Sequence, residues 1–338
     1  MKFENVQIEA MGYVLPPQVV QSEDLEAVFA HTLKRLKMPR GQVEQLSGVR
    51  ERRWFEPGTR PSTVAAMAAE RALARAGIDV DEVDLLINTS VSRDYLEPAT
   101  AAIVGSQLGV GHHCFAFDVT NACLGFLNGM LVAAQFLETG RAKCAVVTCA
   151  ETPRQGVEAT LERLAAPDAT IDTFRDNFAS LTLGEGAAAA VLLPNDRATS
   201  GHRLRAAVQR TATEHAGLCL GNLHEMRANA HGLLIHGVDL AVDTFPDLVE
   251  EMGWKPGDID QFVCHQVSLA HFSHVFRRLE LPMEKALLTF PYLGNVGPTS
   301  LPLTLALGEA QGSIVSGDKL CFWAVGSGLG CIMMGVSW

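Results

Sequence analysis

Positive charge is scarce in this chain: 27 lysines and arginines stand against 38 aspartates and glutamates in 338 residues, a formal net charge of -11. Non-specific nucleic-acid binding and attachment to anionic membranes both need clustered positive charge, so this balance argues against both. The opening Met1-Lys2-Phe3-Glu4-Asn5-Val6 lacks the basic start, apolar run and cleavage site of a secretory signal. Bilayer-length apolar runs are missing too, since residues 187–193 fall far short of the roughly 20 needed to cross as a helix. These absences predict a cytoplasmic protein with no membrane insertion. The eight cysteines lack paired metal-ligand spacing, and Cys144, Cys149, Cys264, Cys321 and Cys331 lie in apolar, strand-like runs where small buried thiols are common. Neither a metal site nor disulfides are expected.

What is present reads as a globular α/β protein. Hydrophobic residues make up 48% of the chain and 30 glycines punctuate it, enough for two domain-sized cores. Residues 77–87 and 253–263 share a pattern of helix end, turn, acidic residue (Asp84, Asp260) and apolar strand, each after a helical stretch, 64–76 and 233–252. Cys123 and Asn295 each precede a helix that ends in Gly140 or Gly312 and is followed by a strand near Lys143 or Lys319. The chain therefore reads as a duplicated α/β unit. Turn-forming residues from Pro194 to Gly201 mark the seam, giving halves 1–197 and 198–338. Strand–helix alternation predicts largely parallel sheets, with the helices from Cys123 and near Ser300 as a central pair whose N-termini adjoin.

Cys123 stands where an apolar strand (115–119) hands over to a helix (124–138). A helix N-terminus offers the positive end of the macrodipole and free N–H groups, which lower a thiol's pKa and favour the thiolate nucleophile. Taken alone, a structural cysteine is the commoner reading; two distant segments reverse it. Residues 262–266 read as a strand ending in His265, and 292–298 as a tight loop holding Asn295 before the helix from Ser300. Cys, His and Asn at the ends of core elements are the parts needed to attack a thioester and stabilise the resulting anions. The other ten histidines read as structural, His271 and His274 included, whose i, i+3 spacing is weak support for a metal.

With the terminal Gly326-Ser327-Gly328, these segments resemble the condensing enzymes of the thiolase superfamily, in the branch of β-ketoacyl-acyl-carrier-protein synthase III. The segment 88–100, ending Leu96-Glu97-Pro98-Ala99-Thr100, is similar to the OleA-type enzymes that join two fatty acyl-CoAs head to head; ordinary synthase III sequences usually carry an apolar residue where Glu97 stands. Residues 47–53 match a further family pattern, and Gly184-Glu185-Gly186-Ala187 a structural turn.

The resemblance, from about Asn5 to Trp338, implies the thiolase fold, two α/β halves forming an α-β-α-β-α sandwich, and a homodimer. Cys123 would take the acyl group, with the backbone N–H groups of Cys123 and Gly328 as oxyanion hole. His265 and Asn295 would bind the second donor's thioester oxygen as it becomes an enolate. Decarboxylation of a malonyl group needs no base, whereas joining two plain acyl-CoAs does, and Glu97, entering from the partner subunit, would supply it. The implied reaction is a non-decarboxylative Claisen condensation giving a 2-alkyl-3-oxoacyl thioester or acid, in an olefin or long-chain hydrocarbon type of pathway. Acyl-CoA would be the substrate, with no cofactor. The nucleotide-contacting residues stay open: Gly41 and Gln45 stand where the family often carries aromatic and basic ones, and Arg50, Arg52 and Arg53 are either a candidate patch or a solvated loop. The excursion 151–177 reads as a cap over the acyl pocket or a dimer contact. Rival readings are a decarboxylative synthase III using malonyl-acyl carrier protein, an acyltransferase to a hydroxyl or amine, and an inactive ketosynthase-like partner, against which retention of Cys123, His265 and Asn295 argues.

Overall fold

Successive side chains leave opposite faces of a strand, so a strand apolar throughout belongs between two packed layers. Residues 85–87 show this: Leu85 and Ile87 join one hydrophobic cluster while Leu86 joins another. The chain, a computed structural model describing residues 1–222 and 225–338, builds its main sheet from nine strands, several of them buried in this way. Among the described residues these are β1 (Gln7–Val14), β2 (Leu85–Asn88), β3 (Phe115–Asp118), β4 (Ala145–Glu151), β5 (Gly186–Leu193), β6 (Arg203–Thr211), β7 (Gln261–Cys264), β8 (Lys319–Gly326) and β9 (Gly330–Ser337). Their order is β7-β8-β9-β6-β1-β5-β4-β2-β3.

The duplication is visible in the pairing. Strand β2 runs parallel to β4, which is antiparallel to β5, which is antiparallel to β1; β7, β8, β9 and β6 repeat that sequence of relations. The counterpart of β3 is reduced to a parallel bridge between Phe262 and Ala286. The halves meet where Gln7 of β1 pairs with Arg203 of β6, and the 194–201 connection lies between β5 and β6. The expectation of largely parallel sheets is corrected: only β2–β3, β2–β4 and β7–β8 are parallel among the described strand pairs. Strands β8 and β9 are separated by residues 327–329 alone, too short for the crossover that parallel neighbours require.

Helices fill the layers: α1 (Pro61–Ala76), α2 (Thr100–Leu108), α3 (Gly125–Glu138), α4 (Arg154–Ala165), α5 (Ile171–Asn177), α6 (Ala230–Met252), α7 (Leu269–Arg278) and α8 (Ser300–Ala310). Helix α1 has Pro61 in its first turn and Gly77 at φ 65 just past its end, a residue choice that sets both boundaries. Phe126 and Met130 of α3 and Leu301 and Leu305 of α8 share a core with Ile87 and Val147 of the first half and Phe322 and Met334 of the second. Ala68 and Ala72 of α1 pack on the first half's other face, and Phe245 of α6 with Phe276 of α7 on the second's. The result is an α-β-α-β-α sandwich with α3 and α8 at its centre. Helix α8 is buried from Ser300 to Gly308, as a helix apolar on every side must be. Each fully buried large apolar side chain here is worth about 1.5–3 kcal/mol. No described helix is long and apolar enough to cross a membrane.

Candidate active site

The first half brings its reacting group to the centre at the step from β3 to α3. Ala122 takes φ 44, an unusual value for a residue with a side chain, and so turns the chain to present Cys123 just before Gly125 opens α3. The second half approaches through the end of β8. A methyl group on Gly326 would lie 2.9 Å from Cys123 Cβ and 3.3 Å from its backbone nitrogen, so only glycine lets the strand come this close. The backbone N–H groups reaching the thiol are those of Cys123 itself and Ser327. Gly328, expected beside Cys123 as an oxyanion donor, takes φ 125 in the turn from β8 into β9.

The expected low thiol pKa is also corrected. Burial pushes Cys123 up to about 12, with Cys219 and Glu151 adding to the rise and the two N–H groups opposing it. Removing a thiolate from water outweighs these two N–H groups, so the resting group is a thiol.

His265 follows β7, its own N–H bonded to the Trp323 carbonyl at 2.8 Å. Burial, with His271 nearby, lowers its pKa to about 4, while the Gly297 carbonyl accepts from the ring and opposes the shift. The imidazole is neutral at pH 7. Asn295 is fixed on both sides: its N–H donates to Thr182 O at 2.8 Å and its carbonyl accepts from Gly184 N–H at 3.0 Å. Gly297 N–H donates to Asn295 Oδ1 at 2.9 Å, which leaves the amide NH₂ for a ligand. Gly297 thus orients both side chains.

Cys123, His265 and Asn295 line one cavity of about 1170 Å³, above the usual range of roughly 300–1,000 Å³ for small-molecule sites. Val238, Phe272, Phe276 and Trp323 contribute apolar wall, and Arg60, Arg93 and Arg154 bring positive charge to it. A long apolar chain matches the apolar wall, while the arginines share the lining with Glu56, Asp94, Glu151, Glu158, Glu185 and Glu225. Residues 153–156 and Glu158, at the start of the excursion, border the cavity, while Val157, Leu161 and Phe174 pack on Phe29 and Trp54.

Glu97 does not join this group. It is exposed and outside the cavity lining of its own chain, while residues 91–96 just before it do line the cavity. The arginine patch read from 50–53 is also corrected: Arg52 is fully buried, donating to Ser22 Oγ at 2.9 Å and the Leu181 carbonyl at 2.7 Å. Glu185 is structural, accepting from Phe55 N–H at 2.7 Å and Arg154 N–H at 3.1 Å.

Three cavity residues escaped the sequence reading. Glu151, at the end of β4, is buried and pushed up to about 7 by that burial. His271 bonds through Nδ1 to Ser268 Oγ at 2.9 Å and is lowered to about 4, chiefly by burial. Cys219 lies near enough to Cys123 to raise its pKa. Among the described residues, no group of three or more His, Cys, Asp or Glu side chains gathers as a metal site would need.

Known proteins match this arrangement over its whole length. The family described as 3-oxoacyl-[acyl-carrier-protein] synthase III matches residues 117–211, and its C-terminal part matches 249–338. The acyl-CoA:acyl-CoA alkyltransferase of Xanthomonas campestris is 40% identical over 338 residues, covering 100% of both chains. That of Shewanella oneidensis is 37% identical over 350 residues, again covering 100% of both. Xanthomonas campestris OleA with bound lauric acid and lauroyl-CoA superposes with a TM-score of 0.97 at 40% identity, covering 99% of this chain and 100% of that one.

Proposed function

We propose, from the premise that this chain belongs to the 3-oxoacyl-[acyl-carrier-protein] synthase III family and within it to the acyl-CoA:acyl-CoA alkyltransferases of OleA type, that it condenses two fatty acyl-CoAs head to head without decarboxylation. The observation carrying this reading is the convergence of Cys123, His265 and Asn295, from three separate segments, on one large and mainly apolar-walled cavity.

In the first half-reaction the Cys123 sulfur attacks the thioester carbonyl of one acyl-CoA. The bond to the CoA sulfur breaks, and CoA leaves as a thiol with the proton that Cys123 gives up. Because the thiol is raised to about 12, that proton departs with attack rather than from a standing thiolate. The N–H groups of Cys123 and Gly328, as the family resemblance implies, hydrogen-bond the oxyanion of the tetrahedral intermediate. In the second half-reaction Glu97 takes an α-proton from another acyl-CoA, and His265 and Asn295 donate hydrogen bonds to the enolate oxygen. A neutral imidazole suits this, since it stabilises negative charge without surrendering a full proton. The enolate carbon attacks the Cys123 thioester, and the sulfur leaves and regains the proton. The product is a 2-alkyl-3-oxoacyl-CoA, or its acid after hydrolysis, on the way to an olefin or long-chain hydrocarbon.

Delivery of Glu97 across a homodimer is supported by its surroundings. Leu96 is 88% exposed, and Val91, Tyr95 and Phe115 are exposed beside it in sequence or on β3. Strand β3 ends the main sheet's order, so one of its edges is unpaired there. Apolar side chains with an open strand edge fit burial against a second copy. The apolar cavity wall and the likeness to acyl-CoA:acyl-CoA alkyltransferases support a fatty acyl-CoA as substrate. The eight free cysteines fit a cytoplasmic, reducing location. The reading includes no cofactor, and 1–197 and 198–338 are its two thiolase-like halves.

Purified protein given one long-chain acyl-CoA, with and without a malonyl thioester, tests the reading by mass spectrometry of products. The 2-alkyl-3-oxoacyl compound is expected from the acyl-CoA alone. Strict dependence on the malonyl thioester would overturn it in favour of decarboxylative chain extension.

A further inference from the structure

Three carboxylates hold the segment that carries Glu97. At its far end Asp118 accepts from Thr100 N–H and Ala101 N–H, each at 2.8 Å. In the middle Asp94 is bonded to Ser62, accepting from N–H at 3.0 Å and from the hydroxyl at 2.6 Å. At the near end Glu151 accepts from Val91 N–H at 2.7 Å, Ser92 N–H at 3.1 Å and the Ser92 hydroxyl at 2.7 Å. Glu151 differs from the other two in being buried in the wall of the catalytic cavity.

A buried carboxylate in a catalytic cavity invites assignment as the base itself, but its bonds argue otherwise. Both oxygens are engaged by donors of one short segment, which partly offset the cost of burial and leave the group acting as an acceptor for that segment. The side chain also lies beside Gly297, where an added methyl would sit 3.4 Å from Glu151 Cγ and 3.6 Å from Cδ. Glu151 therefore stands between the turn that orients His265 and Asn295 and the start of the Glu97 segment.

We infer that Glu151 is a positioning residue: through Val91 and Ser92 it sets where its chain presents Glu97 to the partner subunit's site. This rests on the reading of Glu97 as a base supplied across the dimer. Small errors in the placement of a reacting group cost rate steeply, up to about 10²-fold for 1 Å. Glu151→Gln keeps the shape of the side chain but replaces one acceptor oxygen with an NH₂ that faces N–H donors.

Mixed dimers, separated by two affinity tags, tell which subunit feels the change. In a dimer of wild-type and Cys123→Ser/Glu151→Gln chains, the working site receives Glu97 from the altered chain. In a dimer of Glu151→Gln and Cys123→Ser chains, the working site belongs to the altered chain and receives Glu97 from an unaltered segment. The first dimer is expected to lose roughly 10-fold or more in condensation kcat and in α-hydrogen exchange of acyl-CoA in D₂O, with KM and Cys123 acylation unchanged. The second, which receives Glu97 from an unaltered segment but carries the change in its own cavity wall, is expected to lose less than the first. A loss in the second dimer as large as in the first or larger, an equal loss in acylation in the first, or no loss in either would overturn the inference. The same pair with Glu97→Gln in place of Glu151→Gln tests the underlying reading separately, since that reading fails if Glu97→Gln does not act across the dimer. Should Glu151→Gln not fold, Ser92→Ala removes one donor from the other side and is expected to give the same cross-subunit pattern, more weakly. A Ser92→Ala loss confined to its own subunit's site, or none, overturns it equally.

Discussion

Gly326→Ala is the smallest change that reaches the nucleophile without touching its chemistry. The added methyl lies 2.9 Å from Cys123 Cβ, 3.3 Å from its nitrogen and 3.4 Å from Leu124 Cγ. Ordinary carbon–carbon contact is about 3.5–4.0 Å, so relief requires Cys123 and β8 to separate by several tenths of an ångström. Neither side yields easily: Ala122 already holds φ 44, and β8 is paired on both sides, with β7 and β9. Overpacking of this kind costs about 1–3 kcal/mol in stability. The same separation shifts Cys123 relative to the N–H groups that follow β8, and a weakened oxyanion contact is worth up to about 10²-fold in rate. Single-turnover acylation followed by intact-protein mass spectrometry, beside a denaturant titration, reads both quantities. A variant that acylates at the wild-type rate with unchanged stability would refute the contact between the halves at the nucleophile.

Cys123→Ser should abolish both covalent labelling and condensation, because a site that raises even a thiol to about 12 leaves an alkoxide out of reach; a Ser variant labelled at position 123 as fast as wild type would contradict this. His265→Ala and Asn295→Ala should each permit acylation but slow condensation by about 10²-fold, as for loss of one oxyanion donor; single-turnover kinetics separate the steps, and a folded but unacylated variant would move its residue to the first half-reaction. Folded His265 and His271, both near 4 against 6.5 when unfolded, favour the neutral form. Their contribution is therefore complete above pH 6.5 and lost as pH falls through 4, by at most about 3 kcal/mol per group. Denaturant titrations at pH 7, 5.5 and 4.5 should show the fall, and stability unchanged across that range would refute it.

Much of the site was legible because its signals are local. Cys123, His265 and Asn295 each sit at the end of an element that periodicity finds, and the duplicated pattern predicts how those ends meet. Glu151 was not legible, since its importance lies in Val91 and Ser92, about 60 residues away, and no local pattern joins them. Burial escaped in the same way: a helix start is visible in sequence, but the cavity wall that raises the Cys123 pKa is built by distant segments. The arginines could have been sorted, because Glu51–Trp54 is a strand and alternation turns Arg52 inward while Arg53 keeps partial exposure. The short 327–329 link likewise excluded a parallel pair in advance. Glu97 differs from all of these, since its proposed working environment belongs to a second chain.

The central claim is that Glu97 removes the α-proton, and Glu97→Gln tests it most directly because the amide keeps the shape and lacks the basic site. In D₂O with one long-chain acyl-CoA, the variant is predicted to form the Cys123 thioester at nearly the wild-type rate. It is also predicted to lose both α-hydrogen exchange and carbon–carbon bond formation. Undiminished exchange and condensation in the Gln variant would contradict the account.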